Sequence, residues 1–285
     1  MNNFSILLKR GIRNIIVALS LLLVVLAFSI PYLWMIGSSF KPRAEIFQYI
    51  FPFTWRTFVP VSPTFQNFVE LFTTFKFGSS IFLSLYIAFL TVAFSIVVCS
   101  MIAFVLAKLQ FRGRTLLFFY ILTTLMVPFE ARIVPLFLVI RNLGVDNTIA
   151  SIYLPWIADA FVIFLFRQHL CEIPKDFYDA GLIEGCTHFR VYRSLMLPMI
   201  IPAIVSATLI KFIWSWDSFI WPLVVIRNPR LQVITVAISN LFSDQDILWN
   251  IVFSAAFVTT IPVLVVFFML QKYYIAGVTS SGIKG

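Results

Sequence analysis

Long apolar runs, separated by short polar segments, dominate the chain. Runs over roughly 12–36, 79–107, 115–140, 148–168, 198–226 and 249–272 each reach or exceed the about 20 residues a helix needs to cross a hydrocarbon core. They predict an all-α integral membrane protein of six transmembrane helices, forming a single membrane domain over 1–285. The polar positions gather in three places: a loop over 37–78, a segment over about 169–197 between the fourth and fifth helices, and a loop over 227–248. Lys9, Arg10 and Arg13 precede the first run much as a signal peptide's basic residues would. The run through Trp34 is about twice the length of a signal core and no small-x-small cleavage site follows it, so a retained first helix is expected.

Prolines punctuate four of these runs: Pro128 and Pro135 in the third, Pro155 in the fourth, Pro202 and Pro222 in the fifth, Pro262 in the sixth. Each removes a backbone hydrogen bond that lipid cannot replace, so the freed carbonyls are expected to face protein or a wet cavity. The 37–78 loop holds Pro42, Pro52, Pro60 and Pro63 among aromatic residues and reads as a structured surface layer, either a contact for an external partner or an aromatic belt at the lipid interface. In the 227–248 loop, Asn228-Pro229 and then Ser243-Asp-Gln-Asp246 read as a turn followed by a helix start.

Composition agrees: 61% hydrophobic, 12% charged and a mean hydropathy of +0.98 exclude a soluble domain. The net charge of +9 has a topological explanation. With the N-terminus inside, inner segments carry Lys9, Arg10, Arg13, Lys108, Arg112, Arg114, Arg167, Lys175, Arg190, Arg193, Lys272 and Lys284. Outer segments carry only Lys41, Arg43, Arg56, Lys76, Arg141, Arg227 and Arg230. That imbalance predicts both termini in the cytoplasm and gives no reason to expect nucleic acid as a partner. Cys99, Cys171 and Cys186 have no metal or redox spacing, and His169 and His188 both fall outside the membrane runs. With no glycine-rich phosphate loop and no Ser/His/Asp grouping, the chain is expected to be neither an enzyme nor a nucleotide or metal binder. Its energy must come from a partner or an ion gradient.

Five ionisable residues lie inside the runs: Glu130, Arg132, Asp159, Lys211 and Asp217, from mid-depth to the outer half. Each costs roughly 2.5 to 3.5 kcal/mol on insertion scales if it faces lipid, so all five are expected to face the bundle interior. Two readings stay open, ion pairs that hold helices together and a translocation path.

The segment Asp176-Phe-Tyr-Asp-Ala-Gly-Leu-Ile-Glu-Gly-Cys-Thr-His-Phe-Arg190 is predicted to be a cytoplasmic helix with Pro174 near its start and Asp176 and Asp179 near its positive end. If the helix continues, Ala180, Gly181, Glu184 and Gly185 share a face almost bare of side chains. Two glycines there are costly, at about 1 kcal/mol each relative to alanine, and imply close backbone approach to a partner or within a helix-turn-helix.

Asp179-Ala180-Gly181, then Glu184-Gly185-Cys186, then Leu197-Pro198 resembles the EAA signature of inner-membrane permease subunits of binding-protein-dependent ABC importers. That signature reads Glu-Ala-Ala, then Asp-Gly-Ala, then a distant Leu-Pro; here Asp, Gly, Glu and Cys replace four of its residues. Ser39-Phe40-Lys41-Pro42 with Glu45-Ile46-Phe47, Asn142 through Thr148, Trp216-Asp217-Ser-Phe219 with Trp221-Pro222-Leu223, and the ending Gly277 through Gly285 are similar to the maltose-type second permease subunit. The resemblance covers most of the chain.

It implies a heterodimer with a related permease. It also implies a coupling helix between helices four and five that docks on one of two cytoplasmic ATPase subunits, where ATP and Mg are bound, and an extracytoplasmic binding protein that delivers solute. A C-terminal tail over 273–285 would be a second ATPase contact. The implied cargo is a sugar or oligosaccharide. The stretch Met126 to Pro135 is also similar to glycerol-phosphate permeases, which with Arg132 and Lys211 admits an acidic saccharide or polyol phosphate. An ion-coupled secondary transporter relaying protons through Glu130, Asp159 and Asp217 is the other class, although no internal repeat supports it. The expected location is a bacterial or archaeal inner membrane.

Overall fold

The computed structural model describes residues 2–242 and 246–281, with the side chains of 13–242 and 246–271. All secondary structure among the described residues is helical. In chain order the helices are α1 (Asn2–Ser39), α2 (Gln66–Thr73), α3 (Phe77–Lys108), α4 (Arg114–Thr123), α5 (Phe129–Asn142), α6 (Ile149–Tyr153) and α7 (Ala160–Glu172). They continue with α8 (Lys175–Ile183), α9 (His188–Val191), α10 (Leu197–Met199), α11 (Ile201–Trp216), α12 (Ile220–Val225), α13 (Ile234–Asn240) and α14 (Trp249–Ser281).

Three stretches are long and apolar enough to cross a membrane unbroken: Arg13–Ser39 of α1, Phe77–Lys108, and Trp249–Gln271 of α14. Three bent pairs meet the same criterion: Arg114–Met126 with Phe129–Asn142 at 108°, Ile149–Trp156 with Ala160–Glu172 at 42°, and His188–Met199 with Ile201–Trp216 at 78°. The chain thus has three to six candidate spans among the described residues.

The prolines explain some of these breaks and not others. Pro128 drives Val127 out of the helical region, to φ −86° and ψ 116°, and the third run bends there instead of continuing straight. The fifth run is shorter than its apolar length suggests, because α11 ends at Trp216 and α12 is a separate piece. Pro222 lies in the first turn of α12, where a missing N–H costs nothing. Pro135 and Pro262 lie within continuous helices, as does Pro31 in α1.

The described chain forms two compact units, Met1–Lys76 with Leu241–Thr259, and Phe77–Asn240 with Thr260–Gly285. In the first unit the 37–76 segment is a structured layer, as its prolines and aromatics predict. Lys41 is fully buried and its Nζ donates to the Arg56 and Thr57 carbonyls, both at 2.8 Å. Burial lowers the Lys41 pKa, opposed by the nearby Glu45 carboxylate. Glu45 in turn accepts from the Val61 and Ser62 amides at 2.6 and 3.1 Å. Asn67 donates to the Ser39 and Lys41 carbonyls and accepts from Asn250 of α14, so side chains replace the backbone ladder this layer lacks.

The second unit is organised by α3. Its buried Ser80, Ser84, Ala88, Thr91, Ser95, Cys99 and Ala103 recur every three or four residues and form a stripe of small side chains. Such a stripe lets helices approach closely where lipid supplies no hydrophobic drive, and α7 and α11 are the helices packed most extensively on α3. The 227–240 part of the later loop is a turn, with Asn228 capping Pro229–Leu231, followed by α13; residues 243–245 lie outside the described residues.

Candidate functional site

The break between α6 and α7 is stitched by side chains from two other helices. The Asp159 Oδ1 caps α7, accepting from the Phe161 and Val162 amides at 2.9 and 3.1 Å. Its Oδ2 lies 3.0 Å from Lys211 Nζ on α11, in an ion pair whose side chains are 14% and 3% exposed. Lys211 also donates to the Trp156 carbonyl at 3.2 Å. From α3, Cys99 Sγ donates to the Ile157 carbonyl at 3.4 Å and lies 3.3 Å from the Asp159 amide. Groups that a bent span would strand in lipid therefore have partners.

Beside this junction lies a cavity of about 730 Å³, bordered by residues of all three bent pairs and of α3 and α12. Arg132, Asp159, Lys211 and Asp217 line it, which brings four of the five predicted intramembrane charges to one space. The fifth, Glu130, is exposed in the first turn of α5 and does not line it. Lys211 and Asp159 are paired; Arg132 and Asp217 have no ion-pair partner among the described residues. The rest of the lining is largely aromatic, with Phe129, Trp156, Phe161, Trp214, Phe219 and Trp221. Trp221 donates its indole N–H to the Ser151 carbonyl at 2.9 Å, and Trp156 meets it edge-on with centroids 6.5 Å apart. These aromatic walls carry no charge and escape a search for ionisable residues.

The α8 segment forms the helix expected of it, but its faces are arranged differently. Helix α8 ends at Ile183, and Gly185 takes a positive φ of 81° as the residue after the cap. Its amide donates to Leu182 O and the Cys186 amide to Gly181 O, both at 3.0 Å, a Schellman closure. Gly185 is therefore not on a continuing helical face with Ala180, Gly181 and Glu184, and it is glycine because of its backbone conformation. Gly181 is buried and faces inward: a Cβ there would lie 2.9 Å from Val191 Cγ2 and 3.2 Å from Leu195 Cδ1. The close approach is made within the chain, by a helix-turn-helix, with Leu182, Cys186 and Leu197 packed on the same core.

The outward face of α8 consists instead of Asp176, Phe177, Ala180, Ile183 and Glu184, with Phe177 52% and Ile183 86% exposed. Phe177 and Ile183 are missed when acidic and small residues alone are read; the signal is Phe177, Ala180 and Ile183 recurring every third residue, a stripe of non-polar side chains on one side of the helix. Asp179, half-buried, pairs with Lys175 at 3.4 Å. Tyr178 anchors the helix from beneath, its hydroxyl 2.7 Å from His188 Nδ1 and the two rings stacked at 6.0 Å. Burial first, and the Asp179 charge second, raise the Tyr178 pKa and keep the hydroxyl protonated. Pro198 is exposed and follows a π-helical turn, Tyr192–Met196; lacking an N–H and crowding the carbonyl four residues earlier, it disfavours a regular α-turn there. The backbone of α14 runs to Ser281, and the end of the predicted tail, 282–285, lies outside the described residues.

Comparison with known proteins finds a match over residues 99–280 to the family described as binding-protein-dependent transport system inner membrane component. An arabinooligosaccharides transport system permease protein of Halalkalibacterium halodurans is 32% identical over 260 residues, covering 90% of this chain and 91% of that one. A diacetylchitobiose uptake system permease protein of Streptomyces coelicolor is 31% identical, covering 89% and 83%. A crystal structure of a bacterial ABC transporter that imports the acidic polysaccharide alginate contains a chain of the same fold, with a TM-score of 0.83 at 22% identity over 92% of this chain and 96% of that one.

Proposed function

The chain belongs to the family of inner membrane components of binding-protein-dependent transport systems, and on that premise we propose that it is one of two permease subunits lining the pathway of an ATP-driven saccharide importer. It is a multi-pass inner-membrane protein and the non-catalytic membrane component of its system, which displaces the ion-coupled reading. Its family implies an ATPase and a binding protein as partners. In our reading the companion is a second, related permease, two ATPase subunits bind ATP and Mg, both termini are cytoplasmic, and the whole chain acts as one permease domain.

The observation that carries the cargo reading is the cavity. Its aromatic walls offer flat apolar faces to the C–H faces of sugar rings, and its few polar groups can orient hydroxyls. Its charges balance, with Arg132 and Lys211 against Asp159 and Asp217, so it does not favour an anion. That argues for a neutral sugar or oligosaccharide over an acidic saccharide or a polyol phosphate, and agrees with the relatives whose names specify arabinooligosaccharides and diacetylchitobiose.

For coupling, we read α8 with its closing turn as the ATPase-docking element. Phe177, Ala180 and Ile183 would be its contact face and Asp179 and Glu184 its charged rim. Gly181, Gly185, Cys186, Leu197 and Pro198 would set the shape of the turn behind it. Exposed apolar side chains on a short polar helix support this, since they gain from burial in a partner's groove. The test is purification of the tagged chain in mild detergent with mass spectrometry of what accompanies it. Recovery of an ABC ATPase and a second permease is expected; a chain that purifies alone as a stable homo-oligomer contradicts the reading.

A further inference from the structure

The first unit presents an aromatic turn, 51–55, within the loop whose aromatics the sequence leaves open between a partner contact and a belt at the lipid interface. Phe51, Phe53 and Trp55 are 90%, 69% and 66% exposed, comparable to rings on the apolar spans such as Phe28 and Phe82 at 74% and 73%. Around them, from Ile46 to Val59, the sequence contains no acidic residue and one cation, Arg56. Arg56 is held against the aromatic cluster, its guanidinium carbon 5.6 Å from the Tyr49 ring centroid and 5.8 Å from that of Trp55. The turn has a firm base: Thr57 Oγ1 donates to the Tyr49 carbonyl at 2.6 Å, and Lys41 holds the Arg56 and Thr57 carbonyls from below.

Its depth is fixed by a contact with α1. At Gly37 a Cβ would lie 1.8 Å from the Phe58 carbonyl oxygen, so only glycine admits this backbone-to-backbone packing. Gly37 is two residues before the end of the span Arg13–Ser39, about 3 Å along a helix axis. The turn is thus tied to one end of the apolar span of α1, and the 13–33 part of that span is largely exposed, as a lipid-facing helix would be.

We propose that the turn 51–55 is an interfacial anchor, with Phe51, Phe53 and Trp55 immersed among lipid headgroups and upper acyl chains at the end of α1. The partner is the lipid surface. Large amphipathic rings favour that zone, and Arg56 at the rim suits phosphate. The anchor would hold the outer layer of this unit at a fixed height on the bilayer. It rests on α1 crossing the membrane and is independent of the cargo and the ATPase.

The test compares tryptophan fluorescence of the full chain and of Trp55→Phe in phosphatidylcholine nanodiscs, the difference isolating Trp55 from the other tryptophans. Lipid brominated near the glycerol end of its chains should remove the larger part of the Trp55 emission, and aqueous iodide should remove little. In Phe51→Ser, whose altered ring is 90% exposed, iodide access to Trp55 should rise and bromine quenching fall. Free quenching by iodide with no response to bromolipid would overturn the proposal. So would a Trp55 that is shielded only when a second protein is added, since the face would then belong to a protein partner.

Discussion

Removing the Lys211 ammonium leaves the Asp159 carboxylate buried with two amide donors and no counter-charge. Breaking a buried pair from one side costs about 3–5 kcal/mol, far more than the pair contributes over an apolar substitute. We therefore expect Lys211→Met to lower the thermal midpoint in detergent sharply, and Lys211→Met/Asp159→Asn to recover much of the loss, because asparagine still caps α7. Additive losses would contradict the pairing. Arg132 and Asp217, which have no ion-pair partner among the described residues, should behave oppositely, with Arg132→Gln altering transport more than the thermal midpoint. The sequence made the charges conspicuous but could not show which were paired. Asp159 meets Lys211 only because the α6–α7 break and α11 adjoin, and that proximity is set by the small-residue stripe of α3, whose serines, alanines and cysteine stand out only as a spacing pattern.

The two glycines of the α8 turn separate at the scale of the element. Gly185 has open space around it and a positive φ, so Gly185→Ala should cost about 1 kcal/mol of local strain and Gly185→Asn less, with the helix otherwise intact. Gly181→Leu should be worse, forcing α8 away from Val191 and Leu195. Thermal melts of the purified variants rank them; a Gly185→Ala loss equal to that of Gly181→Leu would contradict the division of roles. On the outer face, Ile183→Asp should leave insertion and stability unchanged yet reduce recovery of the ATPase with the tagged chain severalfold, since an 86% exposed side chain supports nothing within this chain. Unchanged ATPase recovery would remove Ile183 from the contact. Pro174 and the acidic residues of its first turns made α8 legible as a helix, and the spacing of its small residues suggested a bare face. That reading extended the face past Ile183 because spacing alone does not reveal a left-handed residue, although a glycine shortly after a helical run carries the hint of a C-terminal closure.

For the whole molecule, the apolar runs and the EAA-like landmarks were enough to point to the class of machine, while the bends were less visible. Proline marks where a helix can break, yet Pro128 accompanies a 108° bend and Pro262 leaves α14 continuous, so residue type alone does not separate the two. The cavity was half legible: its charges stood out, whereas its tryptophans and phenylalanines were indistinguishable from those of ordinary apolar runs until the bent pairs placed them together. The central claim is that this chain lines half of an ATP-driven saccharide path, and the most direct test is transport by the complex recovered with it. Reconstituted in liposomes, with ATP reaching the ATPase side and the binding protein outside, the complex should accumulate labelled neutral oligosaccharide. Uptake should require both ATP and binding protein, and should persist when ionophores collapse every ion gradient. Uptake that needs no ATP and vanishes with the gradients would contradict the account.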